Sequence, residues 1–141
     1  MRHRRLIFPL LGVVFVCAFV LLGLLNSAAK KQAISKNCAS AITSICLGAR
    51  LWAEDHDGRM PTNFICMIDQ VNTPKILSCD HSRWATNWET FRPENTTYEI
   101  LHPGMPETDT NTPFLRCKIH GHLGYSDSTV FDGVRRRGKF G

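Results

Sequence analysis

Leu6–Leu25 is a run of twenty residues without a charge, entered directly from Arg2-His3-Arg4-Arg5. A helix rises about 1.5 Å per residue, so the run spans roughly 30 Å, the thickness of a bilayer's hydrocarbon core. It predicts a single-pass membrane anchor. Pro9 lies in the first turn, where a missing N–H is tolerated. A cleavable signal peptide is the competing reading, because Ser27-Ala28-Ala29 supplies small residues before Lys30. Its apolar core is usually about 7–15 residues, shorter than this run, so the uncleaved anchor is preferred. Three arginines precede the segment while Lys30, Lys31 and Lys36 follow it. The balance of positive charge therefore favours a cytoplasmic N-terminus only weakly.

The rest of the chain is long enough for one modest core. Residues 1–29 read as the basic tip and transmembrane segment, 30–57 as a stem helix, and 58–141 as a small head forming one domain with the stem. Over Ala28–Asp57, Ile34, Cys38, Ala41, Ile42, Ile45, Ala49 and Trp52 recur at three- and four-residue steps and share one face. No Gly or Pro separates anchor from stem after Leu25, so the two join into one helix of about 50 residues. Asp57-Gly58 stops it, and Pro61 prevents resumption.

Beyond Pro61 the pattern changes. Phe64–Val71 suggests a short helix. Strands are expected at Lys75–Cys79, Thr96–Leu101, Phe114–Ile119, His122–Tyr125 and Thr129–Phe131, the last two joined by a turn at Ser126-Asp127-Ser128. Trp84, Trp88 and Phe91 read as the cover of a small core. A helix followed by short antiparallel strands with long loops is an α+β plan.

The local segments resemble type IV pilins and the pseudopilins of type II secretion systems, especially the subgroup found in Verrucomicrobia and Planctomycetes. Ala49–Pro61 (ARLWAEDHDGRMP) looks like that subgroup's "lRxWAxDnxgrfP" stretch, and Thr73–Cys79 (TPKILSC) like its "TPKxLxCP". Arg116–His122 (RCKIHGH) is similar to "RCPxHG", and Tyr125–Val130 (YSDSTV) to "yaDGsV". The spacing from His122 to Asp132-Gly133 matches H-x9-DG. The resemblance implies a single-pass helix in the cytoplasmic (inner) membrane continuing into a stem, a small extracytoplasmic β head packed on the stem, and a non-enzymatic role in a secretion or pilus-type assembly. The partners it implies are the membrane, proteins of that assembly, and other copies through the N-terminal helix. One departure bears on processing. The residue five places after Gly12 is Cys17, where a prepilin carries glutamate, so neither peptidase processing nor filament entry follows.

Six cysteines and six histidines supply the candidate chemistry. Cys17 lies in the apolar run. Cys38 and Cys46 are two turns apart on the stem, about 12 Å along the axis, too far to bridge, and read as buried apolar residues. Cys66 gives no further signal. Cys79 and Cys117 are expected on strands of the head, and an extracytoplasmic pair of this kind predicts a structural disulfide. The alternative is a metal held by Cys79, His81, Cys117, His120 and His122, which offer enough thiolate and imidazole for tetrahedral zinc. That alternative makes the chain a tethered metal-binding or redox module. A catalytic dyad of Cys117 and His120, with Asp127 orienting it, lacks a nucleophile loop or oxyanion motif. No phosphate-binding, dinucleotide or hydrolase motif is present, so no cofactor and no small-molecule substrate are expected. The net charge of +5 resides in part in Arg2–Arg5 and Arg135–Lys139. These are short basic tips without interleaved aromatics, and nucleic acid is not an expected partner.

Overall fold

The computed structural model describes residues 4–80 and 85–138. Within its helix and strands, the side chains of residues 4–16, 18, 28, 31 and 137 lie outside the described set. The fold is α+β. One helix, α1 (Arg4–Glu54), precedes a five-stranded antiparallel meander of β1 (Tyr98–Ile100), β2 (Pro113–Cys117), β3 (Leu123–Tyr125), β4 (Val130–Phe131) and β5 (Arg136–Arg137). Spatial order equals chain order, so every connection is a local reversal. The chain divides into two compact units, Met1–Ala33 and Ile34–Gly141.

In the first unit the described large side chains, Phe19–Leu22, Leu24 and Leu25, are 57–73% exposed. Among the described residues no helix is long and apolar enough to cross a membrane. Much of the Leu6–Leu25 run has side chains outside that set.

The second unit holds the core. From α1 it takes Cys38, Ile42, Ile45, Cys46, Ala49 and Ala53, and from the sheet Tyr98, Phe114, Leu115, Cys117 and Val130. Of the expected stem face, Cys38, Ile42, Ile45 and Ala49 are buried, while Ile34, Ala41 and Trp52 are half-buried. The true face is rotated toward Cys46 and Ala53. Trp52 instead stacks on His56, centroids 3.7 Å apart, at the edge of that face. Asp57 (φ 54°) and Gly58 (φ 67°) both take the left-handed conformation, and the Gly58 N–H closes on the Ala53 carbonyl at 3.0 Å. This is the expected helix stop.

Three single 3₁₀ turns connect α1 to the sheet: Phe64–Met67, Pro74–Leu77 and Pro93–Asn95. The second corrects the strand expected at Lys75–Cys79. Pro74 occupies the first helical position, where its fixed φ favours a turn, and the Thr73 hydroxyl caps it by accepting from the Lys75 N–H at 3.4 Å. The helix expected over Phe64–Val71 likewise shrinks to one turn, capped by the Asn63 side-chain carbonyl. Trp88 donates its indole N–H to the Val71 carbonyl (3.1 Å) and meets Phe91 edge-on, so this pair does cover core. Trp84 lies outside the described residues.

β3 crosses α1 at very short range. A β-carbon at Gly124 would stand 2.4 Å from the Ile42 methyl and 2.6 Å from the Cys46 sulfur. The β3–β4 turn is held by Asp127, whose carboxylate accepts from both the N–H (3.1 Å) and the hydroxyl (2.6 Å) of Thr129. Arg136, one of the basic residues of the C-terminal tip, is not simply solvated. It pairs with Asp127 at 3.0 Å and lies 3.9 Å above the Tyr125 ring, stitching β5 to that turn.

Candidate metal centre

Four ligand atoms from three parts of the chain converge in the second unit. Cys38 comes from α1, Cys79 from the segment after the second 3₁₀ turn, Cys117 from the end of β2, and His120 from the turn that follows. All four atoms lie within 4.8 Å of one another. The Cys79 and Cys117 sulfurs are 3.5 Å apart, and His120 Nδ1 is 3.6 Å from the first and 3.7 Å from the second.

Local structure fixes each arm. Cys38 sits on the buried face of α1, 1% exposed. Cys79 is not on a strand. Its N–H donates to the Thr97 hydroxyl (2.9 Å), and the Thr97 N–H donates to the Leu77 carbonyl (3.0 Å), so the run into β1 places it. Cys117 ends β2 because the chain turns there. The Gly121 N–H returns to the Cys117 carbonyl (2.9 Å), with Gly121 at φ 69°, a conformation that costs glycine little. That turn aims the His120 N–H at the Cys117 sulfur, 3.4 Å away, and brings the imidazole over it.

The electrostatics favour a thiolate at one position. The Cys117 thiol is drawn well below its ordinary value, first by the hydrogen bond from the Cys38 thiol and then by backbone N–H groups of the turn, against the effect of burial. Cys38, the donor in that pair, is correspondingly pushed up, and burial adds to the rise. Burial pushes Cys79 up as well. Tyr98, 1% exposed, directs its hydroxyl to the Cys38 sulfur at 3.7 Å.

The expected five-residue ligand set is partly corrected. Cys79, Cys117 and His120 do meet. His122 does not join them: its Nε2 lies 3.3 Å from the Ser35 hydroxyl, and its ring stacks on that of His120, centroids 5.5 Å apart. Burial, followed by the neighbouring His120, lowers the pKa of His122. His81 lies outside the described residues. Cys38, read from sequence as a packing residue alone, is the fourth member. Cys46, two turns along, is buried beneath Gly124, and Cys66 is half-buried near Thr62. Cys79 and Cys117 are free thiols, close enough to be joined.

Three thiols and an imidazole in this arrangement can bind a soft or borderline cation, or two of the thiols can be oxidised to a disulfide. Cys117 is fully buried, which suits either of these better than attack on a substrate. No family model matches the chain, and neither a curated protein nor a solved structure matches it.

Proposed function

We propose that the chain is a non-enzymatic, membrane-anchored protein of pilin-like build, serving as a structural or accessory component of a type II secretion or type IV pilus-like assembly. In this reading Leu6–Leu25 lies in the inner membrane, the N-terminus is cytoplasmic, and the sheet-bearing unit is extracytoplasmic. One observation carries it. α1 is a single helix over Arg4–Glu54, yet among its described side chains the fully buried apolar ones all fall between Cys38 and Ala53. The large apolar side chains described in the first unit, Phe19–Leu22, Leu24 and Leu25, are more than half exposed, and contiguous exposed apolar surface of that kind calls for a cover of lipid or of other apolar helices. The buried position of Cys117 supports the non-enzymatic part.

Alkaline carbonate extraction of cells expressing the full chain tests the anchor. The protein is expected in the membrane pellet, with the second unit digested by protease added to spheroplasts. Release into the carbonate supernatant, or a mature N-terminus at Lys30, overturns the anchor. Crosslinking in the membrane tests the assembly role, with adducts to further copies or to secretion-system proteins expected.

A further inference from the structure

We propose that Cys38, Cys79, Cys117 and His120 form a structural zinc site that fastens α1 to the sheet. The proposal does not depend on the membrane or secretion reading, since all four ligands belong to the second unit.

The geometry carries it. Zinc binds thiolate at about 2.3 Å and imidazole at about 2.0–2.1 Å, which places tetrahedral ligand atoms roughly 3.5–3.8 Å apart. The three separations among Cys79, Cys117 and His120 are 3.5, 3.6 and 3.7 Å. Cys38 Sγ, within 4.8 Å of each of them, supplies the fourth corner. A disulfide uses two of these residues and leaves the approach of Cys38 and His120 without a purpose. A zinc ion uses all four.

The surroundings match what a thiolate-rich centre needs. All three sulfurs are thiolates in the bound state, so Zn²⁺ with three thiolates and a neutral imidazole carries a net charge of −1. Two donors already point at the sulfurs: the His120 N–H at Cys117 and the Tyr98 hydroxyl at Cys38. Such outer partners orient ligands and disperse their charge. Cys38, Cys79 and Cys117 are at most 5% exposed, and four protein ligands leave no open position. That is the form of a structural site rather than a catalytic one. Zinc is favoured over calcium or magnesium because the ligands are sulfur and nitrogen, and over redox iron or copper because a full Cys₃His tetrahedron is a common structural zinc set.

The site also has a place in the fold. Residues 38, 79 and 117 belong to the helix, the connecting segment and the sheet, and β1–β5 are each only two to five residues long. Small domains of this kind commonly add a crosslink to a modest core.

The test uses the full chain purified in detergent without chelator or thiol reagent. Elemental analysis is expected to find one zinc per chain. After zinc removal under reducing conditions, Co²⁺ is expected to give the strong visible absorption of tetrahedral cobalt together with thiolate-to-cobalt charge transfer. His120→Cys should keep the metal and strengthen the charge-transfer bands. His120→Ala and Cys38→Ser should each weaken Co²⁺ binding by more than the roughly 10–100-fold that loss of an outer partner costs. Cys46→Ser should bind as the parent does. If Cys38→Ser fails to fold, the two His120 variants decide the matter. Absence of zinc from the purified protein with no cobalt spectrum from the reduced chain overturns the site. Unchanged binding in a folded Cys38→Ser variant overturns the four-ligand set.

Discussion

Gly124 of β3 rests directly on Ile42 of α1, so closely that an added β-carbon would stand 2.4 Å from the Ile42 methyl. The Cys46 sulfur, at 2.6 Å, closes the other side. Neither obstacle is the free end of a flexible side chain, because both are buried between helix and sheet. Gly124→Ala is therefore expected to destabilise the protein by about 1–3 kcal/mol, the usual cost of overpacking. Urea unfolding monitored by circular dichroism measures it. A change within about 0.5 kcal/mol, the range of an ordinary surface substitution, means that β3 can lift from α1 at little cost.

The hydroxyl of Tyr98 reaches the Cys38 sulfur across the same helix–sheet interface. Tyr98→Phe keeps the ring and removes only the donor, so the core should survive with a loss of about 0.5–1.5 kcal/mol. Co²⁺ affinity should fall about 10–100-fold, as for other outer partners of metal ligands. Competition with a chromophoric chelator gives the affinity, and parent-like affinity in the variant shows that the phenol serves packing alone.

Much of the fold is legible in the sequence because it is written in local signals. The three- and four-residue spacing of apolar residues marks α1, Asp57-Gly58 marks its end, and short β-rich runs bounded by turn residues mark β1 to β4. The 3₁₀ turn at Pro74–Leu77 is less legible, because a short stretch such as Lys75-Ile76-Leu77, with its apolar pair Ile76-Leu77, fits a strand until the Thr73-Pro74 cap is weighed. Half of the candidate site can also be read: Cys117-x2-His120-Gly121 is a turn whose glycine aims both ligands. Cys38 cannot be chosen over Cys46 from spacing. Both face the core, and which one meets Cys79 and Cys117 depends on where along α1 the sheet docks, a property of long-range packing. His122 misleads for the complementary reason. It sits two residues beyond His120 but immediately before β3, and its ring lies against Ser35.

The Asp127 carboxyl gives a pH dependence of known sign. Burial pushes its pKa up, but the hydrogen bonds from Thr129 and the pairing with Arg136 outweigh burial and hold it below the usual range. Near and below its ordinary value the unfolded chain therefore binds the proton more readily than the native chain. The stability contributed by Asp127 is complete above about pH 4 and is lost as the pH falls through the native value. Between about pH 6 and pH 3 the parent should lose more stability than Asp127→Asn, with any acid loss of zinc common to both proteins and cancelling in the difference. Urea midpoints at the two pH values provide the measurement. Equal losses in the two proteins show that the turn does not depend on the charge of Asp127.

Removing zinc should convert the site from metal ligation to disulfide chemistry. In the chelated protein the Cys79 and Cys117 sulfurs, 3.5 Å apart, are the pair placed for exchange. With glutathione disulfide as oxidant, one of the two thiolates attacks and forms a mixed disulfide, releasing one glutathione. The second then displaces the other glutathione and closes the Cys79–Cys117 bond. The closed loop covers a sequence separation of 38 residues, which the chain-entropy estimate values at about 3–4 kcal/mol. The oxidised, metal-free protein should thus melt several degrees above its reduced, metal-free form. Peptide mapping after alkylation should find Cys79 joined to Cys117 and Cys38 alkylated. In the zinc-loaded protein the same oxidant should leave all three unlinked until chelator is added. Rapid oxidation that zinc does not slow would mean that the metal does not hold these sulfurs, and a Cys38–Cys117 bond in the chelated protein would mean that Cys79 is not the nearer partner.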